Sequence, residues 1–191
     1  MRGIGLGLLA AVALLLAACS DGGGNGEQTS TAPAALGDTL LLELKSGTVA
    51  IALRPDLAPQ HVARIKQLTG QGFYDGIVFH RVIDGFMAQT GDPTGTGRGG
   101  SDLPDLPAEF SNTPFVRGTV GMARAANPNS ANSQFFITFG DARFLDGQYT
   151  VFGTVSSGME HVDQITRGEP PANPDKIISM KISEDAAGAG S

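Results

Sequence analysis

The sequence predicts an all-β-dominated fold, a closed eight-stranded antiparallel barrel capped by two α-helices. Three observations carry that expectation. Eight short runs rich in Val, Ile, Leu, Phe and Thr recur along the chain, with turn residues between them. Only two stretches place apolar residues at helical spacing. The 191 residues include 27 glycines, roughly double the average share, as suits a chain that reverses often. Eight antiparallel strands commonly close on themselves because closure removes exposed edges, and two helices can cover the open ends. No segment repeats, and the length suits one compact domain with a core of its own.

Order is expected to begin near Thr39. Leu40 to Lys45 and Thr48 to Leu53 read as two strands joined at Ser46-Gly47, and Arg54-Pro55-Asp56 ends the hairpin. Ala58-Pro59 opens the first helix, since proline is tolerated in a first turn whose N–H groups have no helical partner anyway. Val62, Ile65 and Leu68 form its apolar stripe, Gly70 lies near its end, and His61 and Lys66 fall on other faces. The run from Phe79 to Asp92 reads as two short strands around a turn at Asp84-Gly85. Residues 93–113 form a long connection rich in Gly, Pro and Asp, of a length that is usually functional or disordered. Its segment Gly95-Thr96-Gly97-Arg98-Gly99-Gly100 invites a phosphate-loop reading, which fails because no Gly-Lys-Ser/Thr and no helix follow. Gly118 to Arg124, Ser133 to Phe139, Tyr149 to Val155 and Lys176 to Ile182 are the remaining strands, and Met159, Val162 and Ile165 mark the second helix.

The termini read differently. Residues 1–18 have a basic start at Arg2 and an apolar run that is short for a membrane span but suits an export signal. The run ends Leu16-Ala17-Ala18-Cys19, which resembles the lipobox of bacterial lipoproteins. That resemblance implies cleavage before Cys19 and lipidation of Cys19, which anchors the mature protein to a membrane outside the cytoplasm. Residues 19–38 then form a flexible tether, 39–183 the folded domain and 184–191 a loose tail.

Several function classes drop out. A net charge of −6 with no basic run argues against nucleic acid as a partner. The single cysteine excludes an internal disulfide framework and a multi-cysteine zinc site. There is no Gly-x-Ser-x-Gly elbow, the three histidines are scattered, and no histidine spacing suits a metal. What stands out is Arg81, a guanidinium on a strand with Val78, Phe79, Val82 and Ile83, where a charge is rarely buried without a partner. Strand alternation puts Phe79, Arg81 and Ile83 on one face and His80 and Val82 on the other, so His80 reads as structural.

Phe79-His80-Arg81-Val82-Ile83 and Gly85-Phe86-Met87-Ala88-Gln89 closely resemble the cyclophilin signature. So do Met122-Ala123, Asn132-Ser133-Gln134-Phe135-Phe136-Ile137, Leu145-Asp146-Gly147 and Val151-Phe152-Gly153, in the family's order from about Thr39 to Ile182. The resemblance implies a peptidyl-prolyl cis-trans isomerase acting on proline-containing polypeptides without cofactor or metal. It assigns Arg81 as catalytic and Gln89 as its neighbour that positions substrate. Phe86, Met87, Phe136 and Leu145 become the pocket for the proline ring. Ala123, Arg124, Ala125 and Gln134 form the rim for the preceding residues, with the backbone in use at Arg124, and Gly97, Ser130 and Ser133 line a neighbouring pocket. Two rim positions depart from familiar eukaryotic members: Phe144 stands where they have tryptophan, and Tyr149 where histidine is common. Phenylalanine lacks the indole N–H that contacts cyclosporin, so cyclosporin binding is expected to be weak. The loop after Arg124 is also one residue longer than the eukaryotic pattern.

Isomerisation needs no nucleophile. An amide resists rotation by ~18–20 kcal/mol because nitrogen shares its lone pair with the carbonyl, and X–Pro bonds exchange in tens to hundreds of seconds unaided. A donor aimed at the prolyl nitrogen stabilises the twisted state above either planar one. The competing expectation is a membrane-anchored module that binds proline peptides, or acts as a chaperone, without catalysis.

Overall fold

The structure is a computed structural model and describes residues 38–183. The expected signal segment, Cys19, residues 20–37 of the tether and the tail 184–191 lie outside the described residues. The strands are β1 (Thr39–Leu44), β2 (Gly47–Leu53), β3 (Arg81–Ile83), β4 (Met87–Thr90), β5 (Thr119–Met122), β6 (Phe135–Thr138), β7 (Val151–Ser157) and β8 (Ser179–Ile182). The helices are α1 (Pro59–Gly70) and the single turn α2 (Met159–Val162). The strands form one sheet in the order β3-β4-β6-β5-β7-β2-β1-β8, antiparallel throughout.

The expected closure does not occur: the sheet is open, a half-barrel whose edges β3 and β8 are not paired with each other. The reason is that β3 finds other partners. Val82 exchanges two hydrogen bonds of 2.8 Å with Gly168, in the segment between α2 and β8, and Phe79 N–H donates to Asp175. That segment fills the gap, and at β8 the Met180 N–H is taken by the Asp75 carboxylate at 3.0 Å. Edge groups are thus satisfied by irregular chain, without a ladder between the two edge strands.

Leu40, Leu42 and Leu44 of β1 face inward with Val49, Ile51 and Leu53 of β2, as period-two alternation dictates. Val62, Ile65 and Leu68 of α1 join the same interior core. His61 lies off the apolar stripe, as expected, yet is not solvated. It is fully buried because Glu109 of the long connection covers it, with Nδ1 2.6 Å from Oε2. The same carboxylate accepts from the backbone N–H groups of Gln60 and His61, supplying from a distance the cap that Ala58 cannot. The connection is therefore ordered: Arg64 donates to the Pro104 carbonyl and Thr150 Oγ1 accepts from Glu109 N–H.

α2 is shorter than the spacing implied. The chain leaves the helix after Val162 through i→i+3 bonds, from Gln164 to His161 and from Ile165 to Val162, which still bury Ile165.

Candidate active site

Strand pairing assembles the site from one row. Arg81 on β3 lies opposite Gln89 on β4, Gln89 opposite Phe136 on β6, and Phe136 opposite Gly121 on β5. Directly opposed residues share a face, so four strands present these groups side by side. The next residues along each strand turn the other way: Val82, Ala88, Phe135 and Ile137 belong to the interior core. Met87, Phe136 and Leu145 belong instead to a second cluster on the opposite face, with Phe115, Ala142 and Val151, against which Phe86, Ala123 and Tyr149 pack. Gly121 makes room for it, since a Cβ there would lie 2.6 Å from the Phe115 ring and 2.7 Å from that of Phe136.

Above this cluster is a cavity of about 330 Å³, walled by Phe86, Met87, Phe136, Phe144, Leu145 and Tyr149. Arg81, Gln89, Ala123 and Arg124 complete the lining. Phe136 stacks on Phe115 at 5.6 Å and meets Tyr149 edge-on at 5.9 Å, which fixes the floor. Phe144 leans on Phe86 at 5.3 Å and is otherwise exposed, forming a rim. Arg81 donates through Nε to Glu169 at 3.2 Å, and its terminal nitrogens have no hydrogen-bond partner among the described residues.

Gln89 and Arg81 are neighbours but no hydrogen bond joins them. The Gln89 amide donates to Gln134 Oε1 at 2.8 Å, and Gln134 in turn donates to the carbonyls of Gly97 and Gly99. That relay ties the apolar pocket to a second cavity of about 540 Å³, lined among others by Arg98, Asp105, Ala125, Ser130 and Asn132. Gly97 and Gln134 line it too, but Ser133 does not. Ser133 is fully buried and donates to Gly91 O, a structural role. Between the cavities, the Arg124 guanidinium donates to the carbonyls of Gln148, Ala125 and Ala126 and sits 4.6 Å over the Tyr149 ring. The Arg124 backbone N–H and C=O have no partner among the described residues, leaving an edge on which an extended peptide can pair.

His80 lines neither cavity. It is buried, packed against Gly97, and neither ring nitrogen has a hydrogen-bond partner among the described residues. Burial pushes its pKa down, the Asp92 charge opposes this and the Arg81 charge adds to it, so the ring is held neutral. Phe79 does not share the Arg81 face as alternation implied. The chain is irregular until Arg81, and Phe79 enters the interior core.

The glycine-rich loop owes its shape to Asp92. Its carboxylate accepts from the backbone N–H groups of Thr94, Thr96 and Gly97 and from the Thr94 hydroxyl. Amides that would cradle a phosphate are already satisfied by an internal anion. Burial raises the Asp92 pKa, but the Thr94 side chain and the loop N–H groups outweigh it and bring it down to about 2. A folded-state pKa below the unfolded 3.8 contributes stability that is complete above pH 4 and lost as pH falls through the folded value. The contribution is about 2 kcal/mol. Thermal melts between pH 5 and pH 2 are therefore expected to show a falling Tm, with a shallower slope in Asp92→Asn. Equal slopes would refute this role. Glu109 and Asp175, also shifted down, supply the slope that persists in the variant.

Sequence reasoning passed over Glu169, Glu109 and the organising role of Asp92. Each acts through a contact or a loop conformation that no local spacing announces.

The model of the family described as cyclophilin type peptidyl-prolyl cis-trans isomerase/CLD matches residues 39–182. The chain belongs to this family. It is similar to a probable peptidyl-prolyl cis-trans isomerase of Brucella suis biovar 1, with 58% identity over 164 residues, 78% of this chain and 84% of that protein. The peptidyl-prolyl cis-trans isomerase of Synechococcus elongatus is 41% identical over 147 residues, 77% of this chain and 97% of that one. Among solved structures, cyclophilin AquaCyp293 from Hirschia baltica superposes with a TM-score of 0.72 at 31% identity, covering 78% of this chain and 75% of that one. A Cryptosporidium parvum cyclophilin solved in the presence of the dipeptide Ala-Pro has a TM-score of 0.71 at 28% identity, covering 76% and 98%. The activity of this cyclophilin is peptidyl-prolyl cis-trans isomerisation, and the half-barrel with two helices is the family's fold.

Proposed function

We propose that Arg81 is the electrostatic catalyst of X–Pro rotation and that the enzyme works on exported polypeptides from a lipid anchor at Cys19. The observation that carries the first part is a guanidinium whose terminal nitrogens are unpaired among the described residues, on the edge of an apolar cavity of about 330 Å³. The cavity holds the proline ring against Phe136, Met87 and Leu145, and Gln89 with the Arg124 backbone hold the residues before it. With the ring fixed, the carbonyl side turns, the prolyl nitrogen regains its lone pair, and Arg81 donates to it. Substrate excludes water from the cavity and so strengthens that interaction. The Ala-Pro dipeptide used with the Cryptosporidium relative supports proline peptides as the ligand class here.

Exchange NMR on an Ala-Pro peptide tests this. Accelerated cis-trans exchange by the wild type and its loss in Arg81→Ala are expected. Binding without accelerated exchange in the wild type would favour a non-catalytic module instead.

Two further expectations attach to the reading. Phe144 offers the rim an apolar ring and no donor, so cyclosporin is expected to inhibit weakly, and inhibition at nanomolar concentration would refute that. The anchor is tested by metabolic labelling with fatty acid: label in the wild type and none in Cys19→Ala is expected. Equal labelling of both would remove Cys19 as the site.

A further inference from the structure

Arg81 does not stand alone at the pocket edge. Its Nε donates to Glu169 Oε2 at 3.2 Å across 88 positions of sequence. The two side chains are 40% and 51% exposed, so neither charge needs the other to be tolerated in the fold. The backbone nevertheless holds Glu169 in place. Gly168, its neighbour, forms the two-bond bridge to Val82, the residue after Arg81. Gly168 has φ +148, and a Cβ there would lie 2.5 Å from the Pro171 Cα, so only glycine fits this approach. One residue earlier, Arg167 donates to the carbonyls of Asp163 and Ile165 and to the Asp84 carboxylate, and lies 4.2 Å over the Phe139 ring. A segment pinned at the two residues that lead into Glu169 delivers one carboxylate to the Nε edge of the catalytic guanidinium.

We propose that Glu169 is a positioning residue that holds the Nε edge of Arg81 and so directs its terminal nitrogens at the bound X–Pro amide. The inference rests on Arg81 being the catalytic donor. A guanidinium is planar, so fixing the direction of Nε–H restricts the plane in which the terminal N–H groups lie. Rotamer freedom that would otherwise be lost on reaching the transition state is already removed in the free enzyme. The carboxylate also subtracts from the arginine's field. Water screens that subtraction, because the pair is half exposed, whereas orientation acts through a direct hydrogen bond, and orientation prevails.

The test uses the full chain and an Ala-Pro peptide, with kcat and KM measured separately. Glu169→Ala is expected to lower kcat about two- to fivefold, the rate equivalent of an exposed ion pair, with KM unchanged. Glu169→Gln keeps an acceptor oxygen and is expected to recover most of kcat. The Arg81 Nε–H signal in ¹⁵N-resolved NMR is expected to stay protected from solvent exchange in Glu169→Gln and to lose protection in Glu169→Ala. Wild-type kcat in Glu169→Ala would overturn the proposal, and a faster variant would overturn it by showing that the carboxylate competes with substrate for Arg81. Equal losses in the Ala and Gln variants would also overturn it, assigning the effect to charge. Arg81→Ala separates the two levels: full activity there refutes the donor role itself, while inactivity there with full activity in Glu169→Ala refutes only the positioning.

Discussion

Replacing Arg81 with alanine is expected to lower kcat/KM for X–Pro isomerisation by about 10²–10³-fold, the loss typical of removing one preorganised donor from a developing charge, with the thermal midpoint almost unchanged. The two halves of this expectation come from different observations. The rate effect follows from terminal nitrogens that have no partner among the described residues, at the edge of the apolar cavity. The stability effect is small because the Arg81 side chain is 40% exposed and its partner more so, and such pairs contribute at most about 1 kcal/mol. Arg81→Lys is expected to recover little, since an ammonium is a point charge on a flexible stem and cannot hold Nε toward Glu169 while aiming a second N–H elsewhere. Near-wild-type exchange catalysed by Arg81→Ala would mean that the pocket alone accelerates rotation, and the arginine would lose its role.

Phe136→Ala is expected to be the most damaging pocket substitution, and comparison with Phe135→Ala makes it diagnostic. The two residues are adjacent on β6 and both are buried, but they serve opposite faces. Phe135 packs edge-on between Tyr74 and Phe152 in the interior core. Phe136 is the floor of the apolar cavity beside Arg81, stacked on Phe115. Either truncation is expected to cost about 3–5 kcal/mol of stability, read from denaturant midpoints. Only Phe136→Ala is also expected to raise KM strongly at a temperature where both variants are folded, because only there is the surface proposed to hold the proline ring removed. Equal changes in KM would contradict the assignment of the two faces.

That pair of residues also shows what could be read in advance. A run such as Phe135-Phe136-Ile137 is apolar at every position, so period-two alternation cannot say which side chain faces the core, and the pocket residues were separable from core residues only through resemblance. Strand pairing settles it, because opposing Phe136 to Gln89 and Gln89 to Arg81 places all three on one face. The three histidines illustrate the same limit. None falls in a pattern that announces burial, yet His61 is enclosed by Glu109 from 48 positions away.

The sequence by itself determined the eight strands, the two helices, their order and the arginine that calls for a functional explanation. Those are local matters: alternation, helical spacing, proline and glycine at turns, and one charge out of place. Tertiary structure alone decided that the sheet stays open, that Asp92 shapes the glycine-rich loop and that Glu169 holds Arg81. Whether β3 meets β8 depends on a competition for the hydrogen bonds of Val82, which Gly168 wins from 86 positions further along the chain (168 − 82). Such competitions are settled by long-range geometry, and no spacing within a single strand or loop carries that information.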